Sequence, residues 1–133
     1  MARFSITITA GPADIDELGH VNNAVWVRWI QDVAVAHWYA VAPAEHHEAY
    51  IWVVARHEID YRGNIREGES CGATTEIGKA PTGARFERRT SFRDKSGKLL
   101  VSAITSWAMI DRETGRIMRV PRDVAAQFLP DGS

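Results

Sequence analysis

Hydrophobic and polar positions change period several times along the chain. Residues 3–10 alternate, with Phe4, Ile6 and Ile8 against Ser5, Thr7 and Thr9, which predicts a half-buried strand ended by Gly11-Pro12. A polar loop, Ala13 to Asn22, follows. From about Asn23 to Val41 the spacing becomes helical, through Val25, Trp26, Trp29, Ile30, Val33, Ala34 and His37. Asn22 or Asn23 is available to cap this helix and Pro43 to stop it. Val27, Val35, Ala36, Trp38 and Tyr39 make the rest of it apolar too, leaving a narrow polar stripe of Arg28, Gln31 and Asp32. Such a helix is expected to be enclosed by protein on most sides.

Ala44 to Ala49 reads as irregular. Period two then returns, with Val53, Ala55, His57, Ile59 and Tyr61 on one face and Trp52, Arg56, Glu58, Asp60 and Arg62 mostly on the other. Further strands are predicted over 70–78, 84–93 and 99–110, separated by Ala80-Pro81-Thr82-Gly83 and Asp94-Lys95-Ser96-Gly97. The last of them is apolar on both faces, as a central strand is. Thr114-Gly115 leads to a short strand, and Pro121 opens a final helix with Val124, Ala125, Phe128 and Leu129 inward. One strand, one long helix and then about four antiparallel strands make an α+β protein, in which the sheet curls around the helix.

Composition narrows this picture. The 133 residues fit a single domain, 1–133, with 45% hydrophobic and 25% charged residues. A formal net charge of -1 provides no field toward nucleic acid or membrane, so an anionic ligand must be held by local groups. Cys71 is the only cysteine, which rules out an intrachain disulfide and suits a reducing cytoplasm. The N-terminal residues lack the apolar core of a signal peptide, and no run is long enough to span a membrane. A cytoplasmic protein is expected. Five tryptophans hint at oligomerisation.

The chemistry concentrates in Asp14-Ile15-Asp16-Glu17-Leu18-Gly19-His20-Val21-Asn22-Asn23, between the first strand and the long helix. A helix N-terminus offers unpaired N–H groups that can hold an oxyanion, and a carboxylate beside it can activate water or attack a carbonyl. Spacing alone favours plain capping over catalysis.

Asp16-x-x-Gly19-His20-Val21-Asn22-Asn23, with Trp26 three residues on, resembles the 4-hydroxybenzoyl-CoA thioesterase-like family of hotdog enzymes. The similarity extends over the long helix, the Glu58-Ile59-Asp60-Tyr61-Arg62 strand leading to Gly68-Glu69, and Arg119-Val120-Pro121. The resemblance implies a hotdog fold, an antiparallel sheet wrapped around a long central helix. It implies Asp16 as the catalytic carboxylate, the backbone N–H of Asn23 as the group polarising the carbonyl, and Gly19 for the turn and the substrate's close approach. His20 and Asn22 would orient the loop or the thioester, and Trp26 would contact substrate. Leu18 stands where the related plant acyl-carrier-protein thioesterases have an Asn, so their particular catalytic arrangement does not transfer. A second hotdog branch takes its acid from the central helix, where Asp32 is the candidate; the plain reading of Asp32 is an i, i+4 contact with Arg28.

The implied substrate is an acyl-CoA or aroyl-CoA, or alternatively an acyl-carrier-protein thioester. Coenzyme A enters only as part of the substrate, and no other cofactor and no metal is needed. A homodimer or homotetramer with the site between subunits is implied. A hotdog hydratase or dehydratase and a non-catalytic acyl-binding module are the alternatives. The five histidines match no zinc spacing, and Cys71 reads as a packed small side chain. The basic run Arg85, Arg88, Arg89, Arg93, Lys95 and Lys98 reads mainly as a solvated strand face, with one or two of its members free to touch the CoA nucleotide.

Overall fold

The computed structural model describes residues 2–130. In order these form β1 (Arg3–Thr9), a 3-10 turn (Pro12–Asp14), α1 (Asn23–Val41), α2 (Ala44–Ala49), β2 (Tyr50–Tyr61), β3 (Ser70–Glu76), β4 (Arg85–Arg93), β5 (Leu99–Asp111) and α3 (Arg122–Ala126). One antiparallel sheet carries the five strands in the order β1-β3-β4-β5-β2. The fold is α+β, the hotdog arrangement that the motif implied.

α1 spans the expected range because its local signals agree. Asn22 caps it, its Oδ1 accepting from the Ala24 N–H at 2.9 Å, and Pro43 follows directly on the C-cap residue Ala42. Its buried stripe is Val25, Trp26, Trp29, Ile30, Val33, Ala34, His37 and Trp38. Enclosure is less complete than the composition suggested, since Arg28, Asp32, Val35 and Tyr39 remain exposed in the chain.

Three expectations are corrected. Ala44–Ala49 is a short helix rather than irregular chain. The segment after Thr114-Gly115 makes only an isolated bridge, Ile110 to Ile117, rather than a strand. In β2 the pairing with β5 slips between Val54 and Arg56, leaving Ala55 unpaired. This bulge turns the alternation over. Trp52 pairs opposite buried Met109 and His57 opposite buried Thr105, while Val53 and Ala55 are exposed.

The interior divides into two apolar clusters along α1. The first gathers Trp26, Trp29, Ile30, Val33, Phe92 and Leu100 around the N-terminal half of the helix. The second gathers Trp38, Phe86, Met109, Val124 and Phe128 around its C-terminal end. Between them runs a polar seam made of the buried polar residues His37, Thr75, Arg88, Thr90 and Thr105. Arg88 Nη1 donates to His37 Nδ1 at 2.8 Å and to Thr75 Oγ1 at 3.1 Å, and Thr90 donates to Thr75 at 3.3 Å. His57 Nδ1 and Thr105 Oγ1 continue the seam at 2.8 Å, and burial pushes the His57 pKa down.

Candidate active site

The loop between β1 and α1 closes on itself through Asp16. The Asp16 N–H donates to the His20 carbonyl at 2.8 Å, and the Gly19 N–H to the Asp16 carbonyl at 3.1 Å. Side-chain Oδ1 of Asp16 accepts from the Leu18 N–H at 2.9 Å and the His20 N–H at 3.2 Å. Gly19 has φ +80, a left-handed conformation that a side chain would strain, so glycine serves the turn itself. The carboxylate is therefore half architectural. Oδ1 holds the loop, whereas Oδ2 accepts no hydrogen bond among the described residues, and Asp16 as a whole is half-buried.

Asp14 has a different task. Its Oδ2 accepts from the Gly11 N–H at 2.9 Å and its Oδ1 from Arg28 at 2.9 Å. The Gly11 amide first, and Arg28 with it, hold its carboxyl below the ordinary 3.8 against the opposing effect of burial. Arg28 thus pairs with Asp14, not with Asp32 four residues along the helix. Asp32 lies exposed on α1 and makes no ion pair among the described residues.

At the helix start the Val25 and Trp26 amides bond back to the Asn22 carbonyl, and the Ala24 amide to the Asn22 side chain. The Asn23 N–H makes no hydrogen bond among the described residues, as a first-turn amide can. Asn22 is occupied as the cap. His20 lines a shallow cleft with Asn64, Ile65, Arg66 and Glu69. Trp26 is 0% exposed, set edge-on to Trp29 and Phe92 at centroid distances of 5.0 and 5.2 Å, so it sits inside the core with no open surface toward a ligand.

Asn64, which sequence reasoning passed over, clamps the loop from the β2–β3 connection. Its Oδ1 accepts from the Val21 and Ile65 amides, each at 2.9 Å, and its Nδ2 donates to the Val21 carbonyl at 3.2 Å. Tyr61 adds a bond from its hydroxyl to the Asn23 carbonyl at 3.4 Å. The available signal was an asparagine beside Gly63 in a connection too polar to pack, but its partner lies 43 residues away in sequence.

The apolar space lies elsewhere. A cavity of about 180 Å³ opens beside the C-terminal half of α1, between Val35, Trp38, Tyr50, Trp52, Phe86 and Trp107, with Arg88 in its wall. Along the helix, Ala34 at its rim stands roughly 16 Å from Asn23, at about 1.5 Å per residue. Cys71 is buried and its thiol pushed up to about 11 by burial, which makes it a packing residue and a poor nucleophile.

A family model described as the thioesterase-like superfamily matches residues 10–128. The chain belongs to that superfamily. Thioester hydrolysis is the activity class this membership carries. Solved structures agree on the fold. A probable thioesterase from Bartonella henselae superimposes with a TM-score of 0.75 at 22% identity, over 91% of this chain and 100% of that one. A Staphylococcus aureus protein determined in complex with CoA gives 0.83 at 19% identity, over 94% and 80%. A 1,4-dihydroxy-2-naphthoyl-CoA thioesterase from Synechocystis gives 0.75 at 16% identity, over 90% of each chain. No curated protein is similar enough to match. Among the described residues of this thioesterase-like chain, no helix is long and apolar enough to cross a membrane.

Proposed function

We propose that this chain hydrolyses the thioester of an acyl- or aroyl-coenzyme A, with Asp16 as general base or nucleophile and the Asn23 N–H polarising the carbonyl. One observation carries the reading. Among the described residues Asp16 spends only Oδ1 on the loop, and the helix it precedes begins with an amide that no acceptor takes. Oδ2 either removes a proton from water, whose oxygen adds to the carbonyl carbon, or adds there itself to form a mixed anhydride that water opens. In both routes the carbonyl oxygen gains the negative charge that the Asn23 N–H stabilises. The C–S bond then breaks and the thiolate leaves without a strong general acid. Gly19 keeps the turn tight, and His20 and Asn22 hold the loop and the helix start in position.

The acyl group needs an apolar wall, and within one chain the cavity lies a long way from Asn23. We therefore assign the working unit as a homodimer or homotetramer in which a second copy brings its apolar surface to Asp16. Val35 and Tyr39 on α1, and Val53 and Tyr61 on the edge strand β2, are exposed large side chains on the faces available for this. V53E is expected to lower the mass measured by light scattering and to reduce activity at least tenfold together. Retained activity in a monomer would overturn the shared site.

Thiol release from a panel of acyl- and aroyl-CoAs tests the reaction, and D16N tests the site. Asn keeps an Oδ1 acceptor for Leu18 and His20 but loses the free carboxylate oxygen, so activity is expected to fall about a hundredfold or more with the loop intact. A D16N protein with wild-type turnover would remove Asp16 from the mechanism.

A further inference from the structure

The seam contains a charge with unfinished hydrogen bonding. Arg88 stands on β4 between Phe86 and Thr90, on the face that carries Phe92, and is 7% exposed. Among the described residues both of its hydrogen bonds leave from Nη1, to the ring nitrogen of His37 and the hydroxyl of Thr75. A guanidinium can only donate, so His37 Nδ1 is the acceptor in this pair. Neither partner is an anion, and among the described residues no carboxylate lies within ion-pair distance of Arg88. Nε and Nη2 make no hydrogen bond there and are not among the sealed, unpartnered polar atoms. They therefore keep some accessible surface, and Arg88 is one of the residues that line the cavity.

Burial lowers the Arg88 pKa only to about 10, so the group stays charged at neutral pH. A buried, charged donor fork without an anion is unfavourable for the folded chain by itself. The same fork matches a carboxylate with two parallel bonds. All the other lining residues except Arg112 are apolar or aromatic, with Trp38, Trp52, Phe86 and Trp107 as walls, and Arg112 is exposed with its Nη2 donating to the His47 carbonyl at 3.1 Å.

We propose that this cavity binds the hydrocarbon or aryl part of an organic carboxylate, and that Nε and Nη2 of Arg88 take its carboxylate group. The site stands apart from Asp16 in the chain and does not depend on the hydrolase reading. Two sources share the chemistry. The carboxylate belongs either to an acyl group that carries a second, distal acid, or to a free acid that binds on its own.

Three of the five tryptophans line the cavity, so their fluorescence reports its filling. Cyclohexanecarboxylate and its neutral amide, both transparent at the exciting wavelength, are the probes. Wild type is expected to bind the acid at least tenfold more tightly than the amide. R88M is expected to bind both alike, with amide binding retained as proof of a folded cavity. Equal binding of acid and amide by wild type overturns the proposal, whether or not R88M folds, and so does an acid preference that survives in R88M.

Thiol release from adipoyl-CoA and hexanoyl-CoA separates the sources. A tenfold loss of kcat/KM confined to adipoyl-CoA in R88M assigns the carboxylate to the acyl group. An Arg88-dependent acid preference with both turnovers unchanged assigns it to a free acid. If wild type releases no thiol at all, the hydrolase reading falls while the binding result still decides the cavity.

Discussion

The two ends of α1 solve opposite problems. At its N-terminus most polar groups of the Asp16–Asn23 loop are satisfied by near neighbours, with Asn64 holding Val21 from a distance, and among the described residues Asp16 Oδ2 and the Asn23 N–H make no hydrogen bond. Beside its C-terminal half, an apolar cavity surrounds a guanidinium whose two partners come from α1 and β3, 51 and 13 residues away in sequence. The first end is local chemistry placed by turns. The second is long-range packing that happens to close around a charge. The loop groups and the apolar space are thus built by different means, and one chain does not bring them together.

The largest effect should come from breaking the packing that backs the loop end. Trp26 is completely buried against Trp29 and Phe92, so W26A is expected to reduce stability by about 3–5 kcal/mol in urea unfolding. That is a large share of a typical domain's total stability, about 5–15 kcal/mol. A change under about 1 kcal/mol would mean that Trp26 does not support the helix start as its burial indicates.

Next comes D16N, which should separate chemistry from architecture. Turnover is expected to fall about a hundredfold while the urea midpoint stays near wild type, because the Oδ1 bonds survive. N64A should do the reverse in part. Three hydrogen bonds to the Val21–Ile65 clamp are lost, at a net of about 1 kcal/mol each, so stability should drop by about 2–3 kcal/mol. Activity should decline with it as the loop loosens, without reaching the D16N level.

The smallest effect concerns Asp14. Its folded pKa is depressed, so the stability it contributes is present at neutral pH, above the ordinary 3.8, and is lost as pH falls through the folded value. D14N should therefore flatten the acid side of the stability curve below about pH 4, read from urea midpoints at successive pH values, and leave turnover at neutral pH close to wild type. An unchanged acid limb would show that the Gly11 and Arg28 contacts contribute little.

Much of the secondary structure was legible because it rests on short-range signals. The 3.6 period with Asn22 before it and Pro43 after it set α1 residue for residue, and alternation marked four later strands to within a few residues. Ala44–Ala49 escaped because six residues are too few to display a period. The face of β2 escaped because a bulge adds one residue without any change in composition, and one residue is enough to exchange the two faces.

For the site, sequence alone determined the loop, its turn at Gly19, an asparagine cap at Asn22 or Asn23 (Asn22 in the structure) and the membership of a thioesterase-like superfamily that its motif implied, since all of these depend on residues close together along the chain. Tertiary structure alone decided that Arg28 takes Asp14, that Asn64 holds Val21, and that Arg88 turns inward while Arg85, Arg89 and Arg93 of the same strand face water. The reason is the sheet order. Strands β3 and β4 lie between β1 and β5 only once the chain has closed, and it is that closure, not any local preference, that brings His37 and Thr75 to the same guanidinium.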